Sequence, residues 1–276
     1  MNHNKNIKLK NYNISNESPL TVIAGPCAAE SIEHCYMMAK KLKEISERLN
    51  FNLIFKSSFD KANRTSIKSM RGIGLNNSIK VFSQIKNNLD LPILTDVHEP
   101  WQCDVICDYV DVIQIPAFLA RQTDLMIAAA KTGKIINIKK SQFMSPWDIK
   151  YAIEKITNNG NNKIIVTERG TSFGYNNLVV DYRSLEIFKK MDIPVAFDAT
   201  HSIQLPGGLD GKSSGQREFI QPLSISAIAN GISCFFSEVH DNPIEAISDS
   251  DNQLTIEDFE NIIFKLLPFD KLAKGY

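Results

Sequence analysis

Residues 134–140 read Lys134-Ile135-Ile136-Asn137-Ile138-Lys139-Lys140, and residues 163–170 read Lys163-Ile164-Ile165-Val166-Thr167-Glu168-Arg169-Gly170. Each is a short, β-branched run that stops at charged residues, and a helical stretch over 146–158 separates them. Continuous apolar runs joined through helices belong to a parallel sheet covered on both faces. The same unit repeats outward in both directions. Runs at 21–28, 52–59, 92–97 and 112–117 precede it, and runs at 194–201 and 231–240 follow. Eight strand–helix units in 276 residues fit an α/β fold of the (β/α)8 TIM-barrel type. The expected organisation is one barrel domain over residues 1–276, with residues 1–20 as an N-terminal extension. Residues 7–15 alternate apolar and polar side chains, which predicts a short β-hairpin before the first barrel strand, closing the other end of the barrel.

The helices are expected at 32–49, after Ser31 as N-cap, then at 77–88, 101–108, 121–132, 146–158, 181–190, 216–229 and 255–266. Three connections are longer than usual: 61–76, 202–215 and 241–254. Long loops at the catalytic mouth of a barrel are candidate lids.

Lys+Arg and Asp+Glu both number 31, so no global field favours nucleic acid or an anionic membrane. No apolar run approaches the roughly 20 residues of a membrane span. The N-terminus lacks the apolar core of a signal peptide. Five cysteines without framework spacing point to reduced thiols and a cytoplasmic location.

Against this neutral background the strand ends are chemically biased. Lys56, Lys61, Arg64, Lys139, Lys140 and Arg169 stand at or just past the ends of strands two, five and six. Barrel strand ends converge on one mouth, so these groups form a site for anionic small molecules, phosphates or carboxylates. Lys140 is the weakest member, because alternation turns it away from the side Lys139 faces. A second set spans the seam where strand eight meets strand one. Cys27, His201 and Glu238 end strands one, seven and eight, and Asp249 lies on the loop that follows. A thiolate, an imidazole and two carboxylates make a mixed ligand set for a borderline divalent ion. His98 and His240 are rival histidines, and His240 could pair with Glu238. Cys35, Cys103, Cys107 and Cys234 read as packing residues, which is what most cysteines are.

Four segments are too specific to be generic: 55–66 (Phe55-Lys56-Ser57-Ser58-Phe59-Asp60-Lys61-Ala62-Asn63-Arg64-Thr65-Ser66), 137–143 (Asn137-Ile138-Lys139-Lys140-Ser141-Gln142-Phe143), 168–178 (beginning Glu168-Arg169-Gly170-Thr171) and 197–202 (Phe197-Asp198-Ala199-Thr200-His201-Ser202). With them the chain closely resembles the 3-deoxy-D-manno-octulosonate 8-phosphate synthases, also called 2-dehydro-3-deoxyphosphooctonate aldolases, from about residue 23 to residue 254. The resemblance implies a transferase that condenses phosphoenolpyruvate with D-arabinose 5-phosphate and water, in lipopolysaccharide biosynthesis. It implies a homotetramer with sites near subunit interfaces, and no nucleic-acid or membrane partner. Lys139 and Arg169 then correspond to the clamp on the phosphoenolpyruvate phosphate, with the Ala117 backbone nearby. Lys56, Ser58, Lys61 and Gln142 hold the rest of that substrate. Asn63 meets the arabinose phosphate, Arg64 and Thr65 reach it across a subunit boundary, and Phe118 and Arg121 serve a neighbour's site. Lys61, Asn63, Lys139 and His201 are the candidate catalytic residues, and Asp198 is a further substrate-binding residue. Members divide by the residue at position 27. Cysteine there, with His201, Glu238 and Asp249, implies the metal-dependent branch and a divalent cofactor (Zn, Fe, Mn or Co). The chain departs from the pattern at Thr65, where serine is common, and at Asp241-Asn242-Pro243, where a proline usually follows the histidine directly. Two rival readings are a 3-deoxy-D-arabino-heptulosonate 7-phosphate synthase, whose strand-two loop typically carries Lys-Pro-Arg rather than Lys61-Ala62-Asn63-Arg64, and a non-catalytic sugar-phosphate-binding barrel.

Overall fold

The computed structural model describes residues 5–209 and 212–276. Residues 1–4 of the expected extension, and Asp210 and Gly211 within the expected 202–215 loop, lie outside the described residues. Eight parallel strands close into a barrel: Thr21–Gly25, Asn52–Lys56, Ile93–Asp96, Val112–Ile115, Ile135–Lys139, Ile164–Glu168, Val195–Asp198 and Cys234–Glu238. They pair in chain order, and strand eight returns to strand one with Glu238 beside Gly25. Each predicted run contains its strand, which is shorter by a few residues.

The helices are α1 (Ile32–Leu49), α2 (Gly74–Leu89), α3 (Pro100–Ile106), α4 (Thr123–Lys131), α5 (Ile149–Thr157), α6 (Arg183–Lys189), α7 (Ile220–Ala229) and α8 (Ile256–Lys274). Ser31 caps α1 as expected, its hydroxyl accepting from the His34 N–H at 3.0 Å. The expected end of α8 at residue 266 is corrected: the helix runs through Pro268 to Lys274. Proline removes one internal bond, but the partner it deprives, Phe264, lies on an exposed face. Buried Asp270 holds the last turns by accepting from the Leu20 N–H at 2.9 Å and the Tyr276 hydroxyl at 2.6 Å.

Strand alternation divides the interior into two apolar regions. Val22, Leu53, Phe55, Ile113, Ile136 and their neighbours face the helices. Ile23, Ile54, Leu94, Val112, Ile135, Ile165, Ala196 and Cys234 face the barrel axis. The N-terminal strands Ile7–Leu9 and Tyr12–Ile14 pair antiparallel as the predicted hairpin. Ile7, Leu9 and Ile14 join the axial cluster, so the hairpin plugs the barrel opposite the strands' C-terminal ends. Burying each such side chain is worth roughly 1.5–3 kcal/mol.

Two loops carry more order than their sequences announce. Residues 204–209 and 212–215 form an antiparallel strand pair after barrel strand seven. Thr171–Ser172 and Leu178–Val179 form a second small pair after strand six. Both pairs stand over the mouth of the barrel.

Candidate functional site

Stepping two residues along a strand keeps the side chain on the same face, and that step carries the apolar axis up into the chemistry. From Ile54 it reaches Lys56, from Leu94 Asp96, from Ala196 Asp198, and from Phe236 Glu238. From Ile135 it passes Asn137 to Lys139, and from Ile165 it passes Thr167 to Arg169. The intermediate layer is polar but satisfied: Asn137 donates to Gln114 Oε1 at 3.1 Å and accepts from the Thr167 hydroxyl at 2.6 Å. Above it lies a cavity of about 340 Å³ lined by Lys56, Lys61, Asn63, Ala117, Phe118, Lys139, Gln142, Arg169, Asp198, His201 and Glu238, with Asp96 and His98 on one wall. An adjoining outer cavity of about 520 Å³ shares Lys61, Asn63, Arg169 and His201 and adds Arg64, Thr65, Gln204 and Asp249.

Lys56, Lys61 and Lys139 meet the carboxylates of Glu238, Asp198 and Asp96 at the inner floor. Lys56 Nζ lies 2.9 Å from Glu238 Oε1 and donates to the Cys27 carbonyl at 2.9 Å. This reach depends on Gly25, because any Cβ there would collide with the Lys56 carbonyl oxygen. Lys61 Nζ stands 3.7 Å from the same Glu238 oxygen. Lys139 pairs with Asp198 and sits 3.2 Å from the Phe236 ring centroid. Asp198 Oδ2 is also 2.8 Å from His201 Nδ1. Burial pushes the Lys139 ammonium down, against the pull of Asp198. Burial alone would raise the Asp198, Glu238 and Asp96 carboxyls. The histidines and lysines facing them instead hold all three well below the usual carboxylate range. Lys61 is held well above its ordinary value: burial opposes this, but Cys27, Glu238, Asp96 and Asp249 surround it.

The seam set also assembles. One ligand atom each from Cys27, Glu238 and Asp249 falls within a mutual 4.8 Å. Cys27 Sγ is 3.2 Å from Asp249 Oδ2, and His201 Nε2 lies 3.6 Å from Glu238 Oε1 and 3.8 Å from Asp249 Oδ2. Glu238 Oε2 is buried without a partner. Burial, then the nearby Glu238 carboxylate, pushes the Cys27 thiol up. A borderline divalent cation would reverse that and bind the thiolate, so the donor set and the orphaned oxygen fit such an ion.

Other expectations separate from the site. His240 does not pair with Glu238. It lies 3.2 Å from Glu30 Oε1, and its Nδ1 accepts from the Asn242 N–H at 2.9 Å. The unusual Asp241 lies 2.9 Å from His34 Nε2, so the departure after His240 anchors the loop to α1. His98 pairs with Asp96 at 3.1 Å. Lys140 is buried facing away, on the Thr171 hydroxyl at 3.0 Å, as alternation required. Cys35, Cys103 and Cys234 are buried, and Cys107 is half-buried. Arg121 borders a different cavity of about 320 Å³ beside Phe143 and Tyr151. Phe118 is half-exposed at the mouth. Arg64 donates to the Ser248 hydroxyl at 2.7 Å and the Ile247 carbonyl at 3.0 Å, within its own chain. Ser58 is buried and lines neither cavity, and its hydroxyl has no partner.

Sequence reasoning missed two glutamines. Gln253 accepts from the Cys27 N–H at 3.1 Å. Gln204 touches both Arg169 and Asp249, at 3.2 and 3.0 Å. Neither stands at the end of a barrel strand, and no spacing rule marks them.

Known proteins match this chain along its length. A family model described as the DAHP synthetase I family matches residues 4–271. The chain is 50% identical over 272 residues to the 2-dehydro-3-deoxyphosphooctonate aldolase of Brucella anthropi, covering 99% of this chain and 98% of that protein. The proteins of the same name from Brucella abortus and Brucella ovis match at the same identity and coverage. With a closed eight-stranded barrel and a match this complete, the chain belongs to the DAHP synthetase I family.

Proposed function

We propose that the protein is a transferase that condenses phosphoenolpyruvate with D-arabinose 5-phosphate and water, giving 3-deoxy-D-manno-octulosonate 8-phosphate and inorganic phosphate. The observation that carries this reading is the 50% identity to 2-dehydro-3-deoxyphosphooctonate aldolases over nearly the whole of both chains. The geometry supports it: two joined cavities at one mouth offer separate cationic groups to two anionic substrates.

Bringing two phosphorylated molecules into contact costs Coulomb repulsion that grows in a buried site. Lys139 and Arg169 take the phosphoenolpyruvate phosphate, and Arg169 Nη1, buried without a protein partner, is a ready donor. Lys56, Lys61, Ser58 and Gln142 take its carboxylate and enol end. Asn63, Arg64 and Thr65 line the outer cavity and take the sugar phosphate. Phe118 and Arg121 serve the adjacent subunit of a homotetramer. So held, C3 of the enol faces the aldehyde carbon, the proximity contribution to rate. The C3–C1 bond forms as the aldehyde oxygen gains a proton. Water adds at C2, and the C2–O bond to phosphate breaks, leaving the new ketone. Asp198, kept anionic by His201 and Lys139, orients both groups.

Cys27, His201, Glu238 and Asp249 would hold a divalent ion such as Zn, Fe, Mn or Co. When bound, such an ion supplies Lewis acidity that can acidify water or orient the sugar. The product would feed lipopolysaccharide biosynthesis in the cytoplasm.

Incubating the protein with phosphoenolpyruvate and either D-arabinose 5-phosphate or D-erythrose 4-phosphate, while measuring phosphate release, tests the reading. Release with the pentose phosphate alone is expected. Release only with the tetrose phosphate would make it a heptulosonate synthase, and none with either, cation supplied, would leave a binding barrel.

A further inference from the structure

Between the proposed phosphate clamp and the proposed metal ligands lies one side chain that touches both. Gln204 Oε1 accepts from Arg169 Nη2 at 3.2 Å, and Gln204 Nε2 donates to Asp249 Oδ1 at 3.0 Å. The other end of each partner is a group to which the proposed function gives a ligand. Arg169 Nη1 is buried without a hydrogen-bond partner, and Asp249 Oδ2 lies 3.2 Å from Cys27 Sγ. Gln204 itself is 8% exposed, so little water competes for either bond. Its backbone N–H donates to the His201 carbonyl at 3.3 Å, tying it to a third residue of the same set.

The choice of an amide has a chemical reason. An amide carries an acceptor and a donor on one carbon, so it can meet a guanidinium and a carboxylate at once. A carboxylate would accept from Arg169 but repel Asp249. An ammonium would do the reverse. The two bonds also reinforce each other, since an amide whose oxygen accepts from a cation is polarised into a better donor. The surroundings fix the bridge in place. Gln204 opens the strand pair over the mouth and is registered with Gly215. A side chain on Gly215 would collide with Asn252, whose N–H in turn donates to the Asp249 carbonyl at 2.9 Å.

We infer that Gln204 is a positioning residue that couples the two sites, so that phosphoenolpyruvate and the divalent cation each bind more tightly when the other is present. This rests on the proposed function, which supplies both ligands. A ligand on Arg169 Nη1 orders the guanidinium, the amide and Asp249 together, so the second ligand meets an already ordered partner. Linkage makes the effect reciprocal.

The test is a pair of binding measurements on the full-length protein. Phosphoenolpyruvate affinity is measured by calorimetry with and without Mn²⁺ after chelator treatment, and Mn²⁺ affinity with and without phosphoenolpyruvate. In the wild type the two ratios should agree, at roughly five- to tenfold. Gln204→Met, which keeps the length and loses both bonds, should bring both ratios close to one while the protein stays folded. Gln204→Asn keeps the amide but is one methylene too short to span both partners, and should lose the coupling as well. Wild-type coupling in either variant would overturn the inference, because the direct attraction between cation and substrate would then carry it. The same preparations are assayed for phosphate release with D-arabinose 5-phosphate. Absent turnover in the wild type overturns the functional reading, whereas normal turnover with Gln204-independent coupling overturns only the role of Gln204.

Discussion

Lys56 and Glu238 meet at 2.9 Å across the barrel mouth, joining strand two to strand eight with both side chains essentially unexposed. Breaking one side of a buried pair strands the other charge. Lys56→Met should therefore destabilise the fold by about 3–5 kcal/mol. Lys56→Met with Glu238→Gln should recover much of that loss. Denaturant melts of the two single variants and the double variant give the coupling directly. Additive effects would mean that Lys61 alone satisfies Glu238.

Acid should weaken the protein in a defined window. Burial would raise the Asp96 and Asp198 carboxyls, but His98 beside the first, and His201 with Lys139 beside the second, hold both well below their ordinary values. Their folded-state values thus lie below the unfolded ones, so the unfolded chain takes up protons first as pH falls. The stability they contribute is present above about pH 4 and is lost progressively below it. Chemical denaturation of chelator-treated protein between about pH 7 and pH 3 should show this fall. Asp96→Asn should make it shallower, and an unchanged slope would remove Asp96 as a contributor.

Arg169→Ala should impair use of phosphoenolpyruvate while leaving the fold intact. One charge-assisted pair is worth about 1.5–3 kcal/mol, or roughly a ten- to hundredfold loss in kcat/KM for that substrate. Gln204 would lose its guanidinium donor in the same variant. Unchanged kinetics for phosphoenolpyruvate would place the phosphate elsewhere.

Prolonged chelation should abolish turnover, and a divalent ion should restore it. Cys27→Asn is the sharper variant. An amide cannot become a thiolate, so bound metal should fall by elemental analysis. Its NH₂ group can still hold water or a sugar hydroxyl, so some chelator-resistant turnover should survive. Cys27→Ala should lose both. Full activity of metal-free wild-type protein would dispose of the metal assignment.

What was legible in the sequence is what repeats at short range. A parallel strand buried on both faces must be apolar along its length, so all eight barrel strands stand out within a few residues of their ends. The period of two then assigns Lys56, Lys139, Arg169 and Glu238 to the mouth and turns Lys140 away. Local capping marks Ser31, and alternation marks the hairpin at residues 7–14.

The sequence by itself thus determined the barrel, the end at which its charges gather and the family the chain resembles, because each depends on local periodicity or on contiguous segments. Only the tertiary structure decided which of those charges touch. Gln204 meets Asp249 and Arg169, His240 turns from Glu238 to Glu30, and Asp270 carries α8 past Pro268 to hold Leu20. Each of these contacts joins residues 35 to 250 positions apart. No rule of spacing reaches that far. Loop closure and the packing of one loop on another set them, so they follow from the whole fold at once.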